Sequence, residues 1–232
     1  MAQTALLEST VRLLGRLPLF QDVPEQDLQA LAQHTRLDFF ERDAAIFYQG
    51  DACDRIWLVR TGRVKIVHHD DDGREVILEF ISPGEAFGCA VLFFPTHPAT
   101  AKAMEDANLA SFPSEVYAQF LLSHPSVSLR LLRMLGLRHH SMLSMQSLAG
   151  ERVERRMAHI LAKLADRVGR PDPEGILITI PLSRQDLADM ACTTLETAIR
   201  TISRFRKDGV IMTRRGGYLV VTDLEELDKL TR

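Results

Sequence analysis

Residues 182–206, LSRQDLADMACTTLETAIRTISRFR, constrain the fold of this chain more than any other stretch. Ser183 is placed as the N-cap of a first helix, with Gln185 and Asp186 near enough to support that cap. Leu187, Met190 and Ala191 follow at helical spacing and would face a core. Cys192 and Thr193 make a short turn, and Thr194 caps a second helix with Glu196 in its first turn. Ala198, Ile202 and Phe205 form one face of that helix, while Glu196, Arg200 and Arg204 form another. This is a helix-turn-helix pattern, whose second helix enters the DNA major groove. Arg can donate two hydrogen bonds to guanine there, and Glu can accept one from cytosine. An isolated Glu196–Arg200 pair would mean only an i,i+4 ion pair on a solvated face. Here Arg200, Arg204, Arg206, Lys207, Arg214 and Arg215 stand against Asp208 alone within residues 197–217. Phosphate binding needs that local excess.

The continuation fits a winged helix. Gly209 ends the second helix. Residues 210–213 and 218–221 have strand character around the turn Arg214-Arg215-Gly216-Gly217. The wing would carry Arg214 and Arg215 at its tip, beside the DNA backbone.

The chain has 232 residues, 46% of them hydrophobic and 25% charged, which is an ordinary globular composition. The net charge of −3 looks wrong for a DNA reader. It divides into −5 over residues 1–149 and +2 over residues 150–232, an acidic sensor joined to a basic reader. No run is long and apolar enough to span a membrane. Residues 1–20 are amphipathic, interrupted by Glu8 and two arginines, and unlike a signal peptide. Cys53, Cys89 and Cys192 are scattered, which disfavours a disulfide framework, and the cytoplasm is the expected compartment. No Gly-rich phosphate loop, metal-ligand spacing or nucleophile elbow points to an enzyme.

From residue 38 to residue 112 the pattern changes to short strands punctuated by glycine. Strand-like runs occupy 45–48, 55–59, 63–68 and 76–81, with turns at Asp70-Asp71-Asp72-Gly73 and Pro83-Gly84. Residues 126–154 read as one long helix. Leu132, Leu135, His139, Met142, Gln146, Ala149 and Val153 step by three and four, a polar version of a heptad seam. A dimerisation helix suits that seam, and a dimer suits a helix-turn-helix that reads a two-fold site.

These motifs together resemble the cyclic-AMP receptor protein/FNR family of bacterial transcription regulators. The resemblance runs over nearly the whole length: LFQDVPEQDLQALAQ, then IWLVRTGRVKI and PGEAFG, the long helix, and LSRQDLADMACTTLETAIRTISRF. It implies an α+β chain in three parts. A cyclic-nucleotide-binding-like β-roll (a jelly roll) would occupy residues 1–125, a dimerisation helix 126–154, and a winged helix-turn-helix 155–232. It also implies a homodimer on double-stranded DNA, with RNA polymerase as a further partner. Glu196 and Arg200 match two of the family's three base-reading positions. Leu195 replaces an Arg of the cyclic-AMP branch, and Ile199 a Ser of the FNR branch. The half-site expected is one G·C pair read by Arg200 and Glu196, with Leu195 or Ile199 touching a thymine methyl. Ser183, Arg184, Thr194 and Thr197 are the expected phosphate contacts.

Cyclic AMP is not the expected effector. Cyclic-AMP-binding members use a Glu for the ribose and an Arg for the phosphate. Cys89 and Ala99 stand in those places, after Phe87-Gly88 and before Thr100. Burying a charged phosphate without its bidentate Arg is costly. The pocket expected from Phe87, Gly88, Cys89, Val91, Ala99, Thr100, Ser141 and Met142 is more apolar than a nucleotide site. Three classes of signal stay open. Haem or a diatomic gas would need an axial ligand from His97, His68, His69, Cys89, His139, His140 or Met104. A thiol switch would use Cys89 or Cys192, the latter beside the recognition helix, where oxidation adds bulk next to DNA. A small organic ligand is the third. An iron–sulfur cluster needs four cysteines, and the chain has three. Two other readings are a module acting through protein contacts and a family member active without an effector.

Overall fold

The computed structural model describes residues 2–69, 75–146 and 150–231, and gives the backbone alone for residues 2–6 and 138–146. The chain divides into two compact units, Met1–His139 and His140–Arg232.

The first unit begins with helices α1 (Ala2–Gly15) and α2 (Glu25–Gln33). Eight strands follow: β1 (Arg36–Phe40), β2 (Ala45–Phe47), β3 (Arg55–Thr61), β4 (Val64–His69), β5 (Glu75–Ile81), β6 (Ala86–Phe87), β7 (Thr100–Ala103) and β8 (Ala107–Pro113). They form two antiparallel sheets, ordered β1-β8-β3-β6 and β2-β7-β4-β5. The alternation along β3 shows why the unit has three layers. Trp57 and Val59 pack toward Val64, Ile81 and Ala101 of the second sheet. Ile56 and Leu58 pack the other way, with Leu14, Phe20, Leu28 and Leu31 of the N-terminal segment. Because β3 is covered on both faces, it reads as a continuous apolar run. Helix α3 (Ser114–Ser123) brings Tyr117 and Phe120 into the helical layer, and α4 (Pro125–Gln146) adds Val127 and Leu131. The turn expected at residues 70–73 lies outside the described residues; β4 and β5 on either side of it pair antiparallel, His69 opposite Glu75.

The helix expected over residues 126–154 is not continuous. Helix α4 ends at Gln146, and a separate helix, α5 (Val153–Val168), begins after a turn at residue 150. Arg152 is extended at φ −61°, ψ 145°, which stops the helical hydrogen-bond ladder where Gly150 had already weakened it. Leu135 packs partly against its own unit, while Leu129, Leu132 and Leu137 are 67%, 61% and 64% exposed. Leu129, Leu132 and Gly136 share one face by their i, i+3, i+7 spacing, with Leu137 beside them. The seam positions His139, Met142, Gln146 and Ala149 lie outside the described side chains.

The second unit continues from α5 through β9 (Gly169–Asp172), β10 (Gly175–Ile178), α6 (Arg184–Met190), α7 (Leu195–Lys207), β11 (Ile211–Thr213), β12 (Leu219–Val221) and α8 (Leu224–Leu230). The wing hairpin β11–β12 extends into a four-stranded sheet, β11-β12-β10-β9. Its β9–β10 half was not anticipated from sequence. β9 carries Pro171, which an edge strand tolerates because proline, lacking an N–H, breaks no ladder bond on the unpaired side.

Candidate nucleic-acid interface

The start of α6 is fixed by a reciprocal cap. Ser183 Oγ accepts from the Asp186 N–H at 3.0 Å, and the Asp186 carboxylate accepts from the Ser183 N–H at 2.9 Å. After α6 the chain turns at Cys192, whose φ of 46° lies in the left-handed region that side chains rarely adopt. Arg156 of α5 holds this turn. Its Nε donates to the Ala191 carbonyl at 2.8 Å and its Nη2 to the Cys192 carbonyl at 3.3 Å. A cation on the last carbonyls of a helix satisfies groups that otherwise have no partner. Arg156→Met should therefore cost about 1–3 kcal/mol in thermal or denaturant unfolding, with a matching loss of DNA affinity. An unchanged midpoint would show that the turn holds itself.

Thr194 caps α7 by accepting from the Thr197 N–H at 3.3 Å. Helix α7 buries Ala198, Thr201, Ile202 and Phe205. Its outward face presents Glu196 and Arg200 with two apolar side chains, Leu195 and Ile199, which are 42% and 44% exposed. Arg200 reaches Thr197 Oγ1 at 3.5 Å, and among the described residues no ion pair joins it to Glu196. The pair is thus not a closed salt bridge, and both groups stay presented. Arg200, Thr197, Thr201 and Arg204 line an open cleft of about 500 Å³ with Arg152, Val153 and Glu154. At the start of α6, Arg184 is half-buried near Arg206. Burial first, and the Arg206 charge second, pull its pKa below the usual guanidinium value.

Two of the expected DNA contacts are engaged inside the chain. Arg204 pairs with Glu154 of α5 at 2.5 Å and with Asp208 at 3.7 Å. Arg214, exposed like Arg215 beside it, makes a two-pronged pair with Asp172 of β9. These ties lie 50 and 42 residues apart in sequence, beyond the reach of any local pattern. The wing tip itself docks on the residue before Ser183. Leu182 N–H donates to the Gly217 carbonyl at 2.9 Å, and a Cβ on Gly217, at φ 85°, would lie 2.9 Å from the Leu182 carbonyl oxygen. That close approach explains a glycine there.

Among the described residues, the side chains expected to line the effector pocket do not share one lining. Phe87 packs in the core between the sheets, its ring 6.4 Å from Trp57 and 6.1 Å from Phe47. Cys89 packs in the other core, with Tyr117 and the helices. Strict alternation would put residues 87 and 89 on one face; β6 ends at Phe87, and the left-handed residue after it turns Cys89 to the other side. Gly88 takes φ 74° between them. Ala99 and Thr100 are buried, and Thr100 Oγ1 accepts from the Gln49 N–H at 2.9 Å. Ser141 and Met142 lie outside the described side chains, as do His139 and His140. Of the other haem-ligand candidates, His97 is buried and stacked on Phe47 at 3.6 Å, and burial lowers its pKa against the pull of Asp51 and Asp54. His69 pairs with Glu75, His68 is exposed and Met104 is buried. Among the described residues no three His, Cys, Asp or Glu side chains are grouped to hold a metal ion. Cys53 is half-buried and Cys192 exposed.

Two family models match the chain: the cyclic nucleotide-binding domain over residues 37–124, and the Crp-like helix-turn-helix domain over residues 155–230. The chain belongs to the cyclic-AMP receptor protein/FNR family of transcription regulators. It is 26% identical over 222 residues to the CRP-like cAMP-activated global transcriptional regulator of Mycobacterium tuberculosis, covering 95% of this chain and 99% of that one. It is 29% identical over 181 residues to the global nitrogen regulator of Synechocystis, covering 75% and 80%. Its fold is similar to that of FixK2 from Bradyrhizobium japonicum, with a TM-score of 0.76 at 22% identity over 85% of this chain and 98% of that one. Family membership makes α6 and α7 a DNA-binding helix-turn-helix, and the relatives are regulators rather than enzymes. Among the described residues no helix is long and apolar enough to cross a membrane.

Proposed function

We propose that this chain is a homodimeric cytoplasmic regulator that reads a two-fold DNA site with α7 and answers to an effector other than cyclic AMP. One observation carries the reading: α7 is seated by Ala198, Ile202 and Phe205 and presents Leu195, Glu196, Ile199 and Arg200 outward. Arg200 and Glu196 read a G·C pair, and an exposed Leu195 or Ile199 meets a thymine methyl. Ser183, Arg184, Thr194, Thr197 and Arg215 meet phosphates. Two copies associate through the exposed Leu129–Leu132–Leu137 face of α4, with RNA polymerase the downstream partner.

The effector acts on the β-roll and α4. Neither Cys89, packed with Tyr117, nor Ala99 offers a charge to a cyclic phosphate. Haem or a gas, thiol oxidation and a small organic ligand remain the classes to try. Fluorescence anisotropy with duplex DNA tests both halves of the reading. Affinity should fall steeply as salt rises, and saturating cyclic AMP should leave it unchanged. Salt-independent binding would remove the DNA reading; a cyclic-AMP-dependent gain would overturn the effector assignment.

A further inference from the structure

The two arginines at the wing tip are treated differently. Both are exposed, but Arg214 reaches across to β9, its Nη1 2.8 Å from Asp172 Oδ2 and its Nη2 2.8 Å from Asp172 Oδ1. This fork-on-fork geometry is the most directional pairing available to a guanidinium. Asp172 is itself oriented, since its Oδ1 accepts from the Glu174 N–H at 3.2 Å. A second carboxylate oxygen, Glu174 Oε2, stands 3.6 Å from Arg214 Nη2. The Arg214 N–H donates to the Tyr218 carbonyl at 2.8 Å, so the backbone beneath the guanidinium is closed as well. The Arg214 bond, then the Glu174 N–H, hold the Asp172 carboxyl below its ordinary pKa.

The geometry points to Asp172 as a positioning residue for DNA reading: it holds Arg214 as a strut between β9 and the wing tip, so that Arg214 neutralises its own chain instead of a DNA phosphate. A phosphate competing for Arg214 would have to displace a two-pronged carboxylate and approach two negative charges, Asp172 and Glu174. Arg215, with no such tie, is left to meet the backbone. The wing then contributes one phosphate contact from a pair of adjacent arginines. The inference deepens the DNA-binding reading above and rests on it for its affinity arm.

The test is a set of variants, Arg214→Ala, Asp172→Ala, the double variant and Arg215→Ala, each measured for duplex affinity across a salt series and for amide exchange in the wing. Arg214→Ala and Asp172→Ala should each weaken binding about two- to five-fold, with the double no worse than either. Both should leave the salt slope at the wild-type value and speed exchange at Met212 and Val220. Arg215→Ala should lower the slope by about 0.9, one phosphate's share. Tighter binding with a steeper slope for Asp172→Ala would overturn the strut, because a freed Arg214 would then have found DNA. So would a slope lowered by about 0.9 for Arg214→Ala. Loss of salt-dependent binding by the wild type would sink the DNA-binding reading instead; the exchange data then decide the strut alone, and unchanged wing exchange would end it.

Discussion

Arg200→Ala is expected to weaken binding to the preferred duplex by about 1–3 kcal/mol and to relax discrimination at one G·C pair of each half-site. The direction follows from where the side chain sits. Arg200 lies on the exposed face of α7, one turn beyond Glu196, and its one described contact is the 3.5 Å approach to Thr197 Oγ1. Removing it creates no cavity and breaks no strong tie, so stability should be unchanged while sequence preference falls. That split distinguishes a base reader from a structural arginine such as Arg156, whose loss should lower stability and affinity together. Arg204→Ala offers a second contrast. Its pair with Glu154 predicts a small, sequence-independent loss. If Arg200→Ala binds the preferred site as tightly as the wild type, α7 does not dock as proposed.

The other large effect concerns assembly. Leu129→Asp with Leu132→Asp should convert the proposed dimer to a monomer and lower affinity for a two-fold site by about 10²-fold or more, because the second protomer is then no longer tethered to the first. Leu129 and Leu132 are 67% and 61% exposed, so they contribute little to their own unit's core and the fold should survive. Leu122→Asp is the control: that side chain is 75% exposed but lies on α3, off the α4 face. It should leave the dimer intact. Light scattering after size exclusion gives the mass. A double variant that stays dimeric with wild-type affinity would remove α4 as the interface.

The parts of this fold that were legible in the sequence are those whose signals are local. The caps of α6 and α7 are set by residues three apart, and the buried face of α7 by apolar spacing within one helix. The wing was readable because two short apolar runs flank a glycine pair. The long helix was misread because helical spacing of apolar residues persists from Leu135 to Val153. A single glycine at 150 does not by itself announce a break, and the extended Arg152 that completes it has no sequence signature. Helix α8 did carry one, since Asp223 caps it by accepting from the Glu226 N–H at 2.8 Å, but its acidic composition masked the short apolar face. The site was least legible where charges meet across the sheet. Nothing near Arg214 in sequence indicates that Asp172 will claim it. Neither does anything near Cys89 indicate that its side chain turns toward Tyr117 and away from Phe87. Charge counting does not show that Arg204 and Arg214 have carboxylate partners within the chain.

The most direct test of the account is selection of bound duplexes from a random-sequence library by the wild-type protein, followed by sequencing. The account predicts enrichment of a two-fold motif whose half-sites are centred about one helical turn apart, or a multiple of it, each with a fixed G·C pair that loses its enrichment in Arg200→Ala. Enrichment of a single asymmetric half-site, or of no motif at all, would contradict a dimer reading DNA through α7.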